Sequence, residues 1–291
     1  MWLLFSILTV LLWGTSDVIF KSAASDDANS VLRLLAYNGI ILGVCSLLYM
    51  LIIGGSITLQ AILTYLPIAT IYITSMLFYY KAMPKIKISI ASPIANSSCL
   101  LTTLLCIFVL NQQVTWLQIG GIALIVVGLV VLSFEKEEGF SRIDSREARR
   151  RAYIKGVGFA LLYFVLDGVG SFLDDYVLDD TLLAEEVIVS YGLIYLLVGV
   201  VCYIALKTRH RGYRFFSNRR KVAGSLVETA GQFTFVYAFA FGDAALASPF
   251  IAAFAAVSVI LSRIFLKEKL TAKQYGMVAM MLAGMAILAI E

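Results

Sequence analysis

The chain has 291 residues, 60% of them hydrophobic and 14% charged, with a mean hydropathy of +0.90 and a formal net charge of +4. Soluble domains carry about 25% charged residues, so this composition excludes an ordinary soluble protein. Its many long apolar runs predict a polytopic membrane protein.

Ten runs have the length and apolarity of a spanning helix, which needs about 20 residues. They are predicted near Trp2–Phe20, Val31–Ile53, Leu63–Tyr80, Ile88–Leu110, Trp116–Phe134, Ile154–Leu173, Val187–Leu206, Val222–Phe241, Ala244–Leu266 and Ala272–Ile290. Met1 leads into the first run with no basic segment before it, so that run is expected to be a span rather than a cleavable signal. Cys45, Cys99, Cys106 and Cys202 lie within apolar runs and read as reduced packing residues, not as a disulfide or metal set. The lone His210 sits in a basic loop and cannot hold a metal by itself. No metal or cofactor is expected.

The loops alternate in charge. Lys21 and Arg33 flank the first; Lys81, Lys85 and Lys87 lie in the third. The fifth carries Lys136, Arg142, Arg146, Arg149, Arg150, Arg151 and Lys155; the seventh runs from Lys207 to Lys221; the ninth holds Lys267, Lys269 and Lys273. The second, fourth and eighth have no Lys or Arg, and the sixth, Asp174 to Glu186, has acids only. By the positive-inside rule the odd loops face the cytoplasm and both termini face outward. The aromatics among the basic residues at Tyr213-Arg214-Phe215-Phe216 fit an interfacial loop better than a nucleic-acid site. The acidic sixth loop lacks EF-hand spacing and reads as a solvated outer loop.

One segment occurs twice. Shifted by 156 residues, Ala91-Ser92-Pro93 falls on Ala247-Ser248-Pro249. Without a gap, Thr115 falls on Thr271, Gln118 on Gln274, Gly120 on Gly276, Gly128 on Gly284 and Glu135 on Glu291. Identity at Pro, Gly and Thr does not follow from shared apolar composition, so Ala91–Glu135 and Ala247–Glu291 are two copies of one unit. In each, a Ser-Pro step is expected to open an apolar helix, a short polar turn follows, and Thr115 or Thr271 caps a glycine-containing second helix. The chain thus divides into a first repeat, 1–135, a basic linker, 136–153, and a second repeat, 154–291.

These features resemble the EamA-like branch of the drug/metabolite transporter superfamily. The resemblance rests on Leu12-Trp13-Gly14 in the first run, on the turn Leu266-Lys267-Glu268-Lys269-Leu270-Thr271, and on the glycine-bearing helix after it. The first copy departs from the pattern, with Gln112 where the family usually has Glu. Five helices per copy is an odd number, so the second copy lies upside down relative to the first. The fold class is an all-α membrane protein of ten transmembrane helices in two inverted five-helix repeats. In transporters of that kind the binding site lies near the midplane between the halves.

Ionisable groups inside spans are costly and point to function. Glu228 lies roughly 10 Å into the eighth run at 1.5 Å per residue, with Gln232 one turn on along the same face. There it can bind a cation or exchange a proton, or bond to a neighbouring helix. Repeat symmetry sets Tyr72 opposite it. Asp167 lies beside Gly168, whose missing side chain could thin the sixth helix for a substrate, although a packing role competes. Asp17 has Lys21 four residues on, and an i,i+4 pair is the simpler account of it. Arg263 can snorkel to the cytoplasmic surface. Trp13 and Gly14 offer aromatic surface and backbone access; Tyr79, Asn96 and Phe235 complete the substrate-binding set with Glu228, Gln232, Asp167, Trp13, Gly14 and Tyr72. The smaller multidrug relatives carry a proton-linked Glu eight residues before a Lys; counted back from Lys21, that place holds Trp13. Their coupling therefore cannot be carried over.

The resulting expectation is a secondary transporter or exporter of a small metabolite, such as an amino acid or amine, in the cytoplasmic membrane. It acts as a monomer or homodimer, with or without a coupling proton or cation, and not on nucleic acid. The alternatives are an integral membrane enzyme and a non-transporting sensor or scaffold. No His-Glu-x-x-His helix, second His or P-loop is present for catalysis, so no catalytic residue is assigned.

Overall fold

A computed structural model describes residues 1–23, 29–86, 91, 94–133, 146–209, 215, 218–267 and 269–290. Pro93, Glu135, His210, Glu268, Glu291 and the first part of the basic linker lie outside these. Every regular element among the described residues is helical: α1 (Trp2–Ala23), α2 (Ser30–Ile53), α3 (Leu59–Ala82), α4 (Ile94–Val109), α5 (Trp116–Ser133), α6 (Arg146–Asp180), α7 (Ala184–Arg209), α8 (Arg219–Ala240), α9 (Ala244–Leu266) and α10 (Ala272–Ile290). Seven of them, α1–α3, α6, α7, α9 and α10, are long and apolar enough to cross a membrane; α4 and α5 are apolar but shorter. α8 belongs to neither group; it carries Glu228 and Gln232 along its length.

The helix ends follow from local chemistry. Thr58 caps α3 by accepting from Ala61 N at 3.1 Å, and Asn218 caps α8 by accepting from Lys221 N at 3.1 Å. α2 stops at Gly54, whose φ of 65° is a left-handed turn that costs glycine nothing. Thr115 and Gln118 exchange bonds in a capping box: Thr115 N to Gln118 Oε1, 2.8 Å, and Gln118 N to Thr115 Oγ1, 3.3 Å. Thr271 and Gln274 repeat it at 2.9 and 3.2 Å. The turns before these caps also match. Asn111 and Lys267, 156 apart, are both left-handed, with φ of 57° and 56°. The duplicated turn is thus the same in backbone as well as in sequence.

The most extensive packing is between halves of the chain. α2 packs on α7, α5 on α10 and α4 on α9, while α1 packs on α8 and α9, α3 on α6 and α7, α2 on α8, and α4 on α6. Replace each helix by the one five places along, and this set of pairs maps onto itself. Glycines carry the closest crossings. A Cβ on Gly199 of α7 would lie 2.8 Å from Ile40 N of α2. Gly14 faces Val257 and the Phe254 carbonyl, while Gly168 faces Leu101 and the Ser98 carbonyl, partners that stand 156 residues before those of Gly14. Large apolar side chains such as Trp116, Phe108, Leu51 and Ile290 point outward, as a surface facing lipid requires, and many hydroxyls point inward.

Several expectations change. The Ser-Pro step of the second copy does not open a helix. Pro249 lies inside α9, and α9 breaks after it at Ala253 before ending in a π turn over Ser262–Leu266. Proline has no N–H for the carbonyl four residues back, and Thr103 Oγ1 donates to that Ala245 carbonyl at 3.3 Å instead. α6 runs from Arg146 to Asp180, so it takes in the end of the linker and the start of the acidic loop. Asp174 and Asp175 are therefore not solvated; they are 0% and 1% exposed. Tyr65 donates to Asp174 at 2.6 Å, and Gln112 Nε2 and Ala244 N donate to Asp175 at 2.6 and 3.2 Å. Lys221 is likewise buried and donates to Ser30 Oγ at 3.4 Å. Phe215 packs its ring 4.7 Å from Tyr37, which ties that aromatic stretch to α2.

Candidate functional site

Between the two halves lies a cavity walled by aromatic rings and carboxyl groups. Both halves of the chain line it. α1 contributes Trp13 and Asp17, α3 Tyr72 and Tyr79, α4 Asn96 and Ser98. From the second half come Tyr163 and Asp167 of α6, Tyr191 of α7, Glu228, Gln232 and Phe235 of α8, and Phe254 of α9.

Three carboxylates border this space, each held by hydroxyls. Ser16 Oγ of α1 donates to Glu228 across the α1–α8 crossing. Ser98 Oγ donates to Asp167 at 2.7 Å. Tyr79 OH and Ser258 Oγ donate to Asp17 at 2.8 and 3.1 Å. Hydroxyl donors fix the orientation of a carboxyl group without bringing a counter-charge. A Ser or Thr turned inward on an apolar helix is what supplies such a donor.

Aromatic rings close the walls. Trp13 lies 5.0 Å from Phe235 and 5.7 Å from Phe254, centroid to centroid, and Tyr79 lies 5.0 Å from Tyr163. Tyr72 donates to Ser171 Oγ at 3.2 Å and presses its ring on Gly170, where a Cβ would come within 3.0 Å. Tyr72 thereby meets α6 in the way that Glu228 meets α1, as expected from residues 156 apart. The two halves present different chemistry at equivalent places: a phenol on one side, a carboxylate on the other.

Of the residues singled out from sequence, Glu228, Gln232, Asp167, Trp13, Tyr72, Tyr79, Asn96 and Phe235 all line the cavity. Gly14 does not; it is the α1–α9 crossing point, and its carbonyl accepts from Ser258 at 3.4 Å. Gly168 likewise packs on α4 rather than opening α6 to the cavity. Asp17, set aside as a lysine partner, lines the same cavity as Glu228. Lys21 reaches the carbonyls of Met83 and Ile86 at 2.7 and 2.8 Å. Tyr80, Tyr163 and Tyr191 were not singled out; only their spacing as buried phenols within apolar runs marks them in the sequence. Among the described residues no group of His, Cys, Asp and Glu is arranged to hold a metal ion.

The comparisons with known proteins bear on this cavity through the fold. No curated protein matches the sequence. A solved crystal structure matches with a TM-score of 0.72 at 17% identity, over 99% of this chain and 96% of its own, which shows a shared fold. The sequence model of the EamA-like transporter family matches residues 1–134 and 155–290, one stretch on each side of the basic linker. With the all-helical fold and apolar spans, that match over nearly the whole length makes this chain a multi-pass membrane protein that belongs to the EamA-like transporter family.

Proposed function

We propose that the chain is a secondary transporter of a small organic metabolite across the cytoplasmic membrane. It would work by alternating access, with ten spanning helices in two inverted five-helix repeats. The observation that carries this reading is the central cavity, built from equivalent elements of both repeats and bordered by Glu228, Asp167 and Asp17. Two halves that rock about a shared site expose it first to one side and then to the other.

The inversion has support at residue level. Gly128 of α5 faces Met281 and the Met277 carbonyl of α10; Gly284 of α10 faces Ile125 and the Gly121 carbonyl of α5. The shift of 156 exchanges each contact with the other. A twofold relation produces that exchange, whereas copies related by translation would leave α5 and α10 in different surroundings. Five helices per copy, threaded in order, then favour an axis in the membrane plane.

Reconstitution into proteoliposomes tests the proposal. Counterflow of a labelled substrate against an unlabelled gradient is expected from the wild type. Conversion of that substrate to a product, with no movement across the bilayer, would instead identify a membrane enzyme. Neither movement nor conversion across a broad metabolite panel would support a sensor or scaffold.

A further inference from the structure

The cavity extends past Glu228 into a smaller side chamber bordered by Asn38 and Tyr195 as well as by Tyr80, Thr229 and Gln232. Glu228, Gln232, Tyr80 and Tyr191 border both spaces, so Glu228 stands at the neck between them. Asn38 is 4% exposed, and its amide nitrogen donates to the Tyr80 hydroxyl. Its Oδ1 has no hydrogen-bond partner. A buried acceptor left unmatched costs about 1–3 kcal/mol, and here it borders a space that also touches a carboxylate.

The charges of the lining are one-sided. Glu228, Asp167 and Asp17 border the cavity, and no Lys, Arg or His borders the cavity or the chamber among the described residues. A ligand carboxylate would find no cation there and three carboxyl groups instead. An ammonium group brings up to three N–H donors and no acceptor, the complement of Glu228 and Asn38 Oδ1. The ring faces of Trp13, Phe235 and Tyr79 attract a cation further and cover an apolar body.

We propose that the ligand of this cavity is an organic amine without a carboxylate. Its ammonium group sits at the neck between Glu228 and Asn38 Oδ1, and its hydrocarbon or aromatic body lies against Trp13 and Phe235. This rests on the transporter reading above and narrows its substrate from small metabolites in general to cations.

A set of probes with one shared ring separates the charge classes: tyramine as cation, tyrosine as zwitterion and 3-(4-hydroxyphenyl)propanoate as anion, with 1,5-diaminopentane as an aliphatic cation. Binding is measured on the purified full chain, and uptake in proteoliposomes. Tyramine or 1,5-diaminopentane is expected to bind at least about tenfold more tightly than tyrosine, and the anion not at all. Loss of one charge-assisted bond corresponds to about 1.5–3 kcal/mol, so Glu228→Gln is expected to weaken amine binding by about tenfold or more. Asn38→Leu, which keeps every charge, is expected to weaken it too. The proposal is overturned if tyrosine or the anion binds as tightly as the amines, or if neither amine binds. It is also overturned if a folded Glu228→Gln variant binds the amines as tightly as the wild type. The comparison of probes on the wild type decides even where a variant fails to fold. Transport of tyrosine or the anion would sink the amine assignment and leave the transporter reading standing. Amines that bind but do not cross would do the reverse.

Discussion

Glu228 and Asp17 belong to different halves of the chain, yet they border one cavity. The sequence ranks them differently because Asp17 has a lysine one turn away and Glu228 has none. Proximity along a helix is a local clue, and the structure adds distant partners: Tyr79 of α3 and Ser258 of α9 donate to Asp17. Glu228→Gln and Asp17→Asn keep shape and remove charge. Both are expected to fold and to lower transport per folded molecule by about tenfold or more, the worth of a charge-assisted bond. Expression and transport measured separately on each variant check this. A variant that loses both in parallel has lost a structural carboxylate. A fully active Glu228→Gln would leave the aromatic walls as the only candidate site. Glu228 and Asp167 were legible because a charge inside an apolar run is conspicuous. Asp174 and Asp175 were not. Clustered acids look like a loop, and the partners that allow their burial, Tyr65 and Gln112, lie far away in the chain.

At the scale of helices, the repeat was readable where it depends on backbone chemistry. Thr115 and Thr271 cap their helices, and the turns before them share a left-handed residue, because those positions need particular residue types. The break in α9 was not placed correctly, since a proline marks a missing bond but not where its neighbours will fill it. Gln112 shows what the departure from the family's usual Glu achieves. It donates to Asp175 and accepts from Ala245 N at 3.0 Å, tying the α4–α5 turn to the end of α6 and the start of α9. Gln112→Leu leaves Ala245 N unmatched at about 1–3 kcal/mol and takes one donor from Asp175, which keeps Ala244 N, so thermal unfolding of the purified protein is expected to occur at a lower temperature. An unchanged midpoint would show that this tie contributes nothing to stability. The α5–α10 crossing makes a finer prediction. A Cβ at Gly284 meets the Gly121 carbonyl at 2.6 Å, while one at Gly128 meets the flexible Met281 side chain. Overpacking costs about 1–3 kcal/mol where the neighbour cannot move. Gly284→Ala is therefore expected to destabilise more than Gly128→Ala, although the two positions are equivalent in the repeat. Equal losses in thermal stability would show that the crossing shifts as a whole.

The whole molecule raises the question of which way it sits in the bilayer. The charged loops give a direct expectation: Lys and Arg collect in the odd connections, and the even ones lack them or carry acids. The membrane-inserted orientation follows such a bias because basic loops are retained in the cytoplasm. The bias sets both termini outside, and the opposite orientation sets both inside. Three introduced cysteines separate the two. Thr181 is exposed in the short connection between α6 and α7. Ser141 and Ser217 lie in the two longest basic connections, outside the described residues. In intact cells an impermeant thiol reagent is expected to label a cysteine at 181 and to spare those at 141 and 217, which should react only after the membrane is opened. The reverse pattern would overturn the orientation while leaving the helix pairing untouched. Labelling at all three in intact cells would be more serious. The sixth and seventh connections lie on opposite faces if α7 crosses once, so common labelling at 181 and 217 would contradict the spanning role of α7, and with it the inverted repeat.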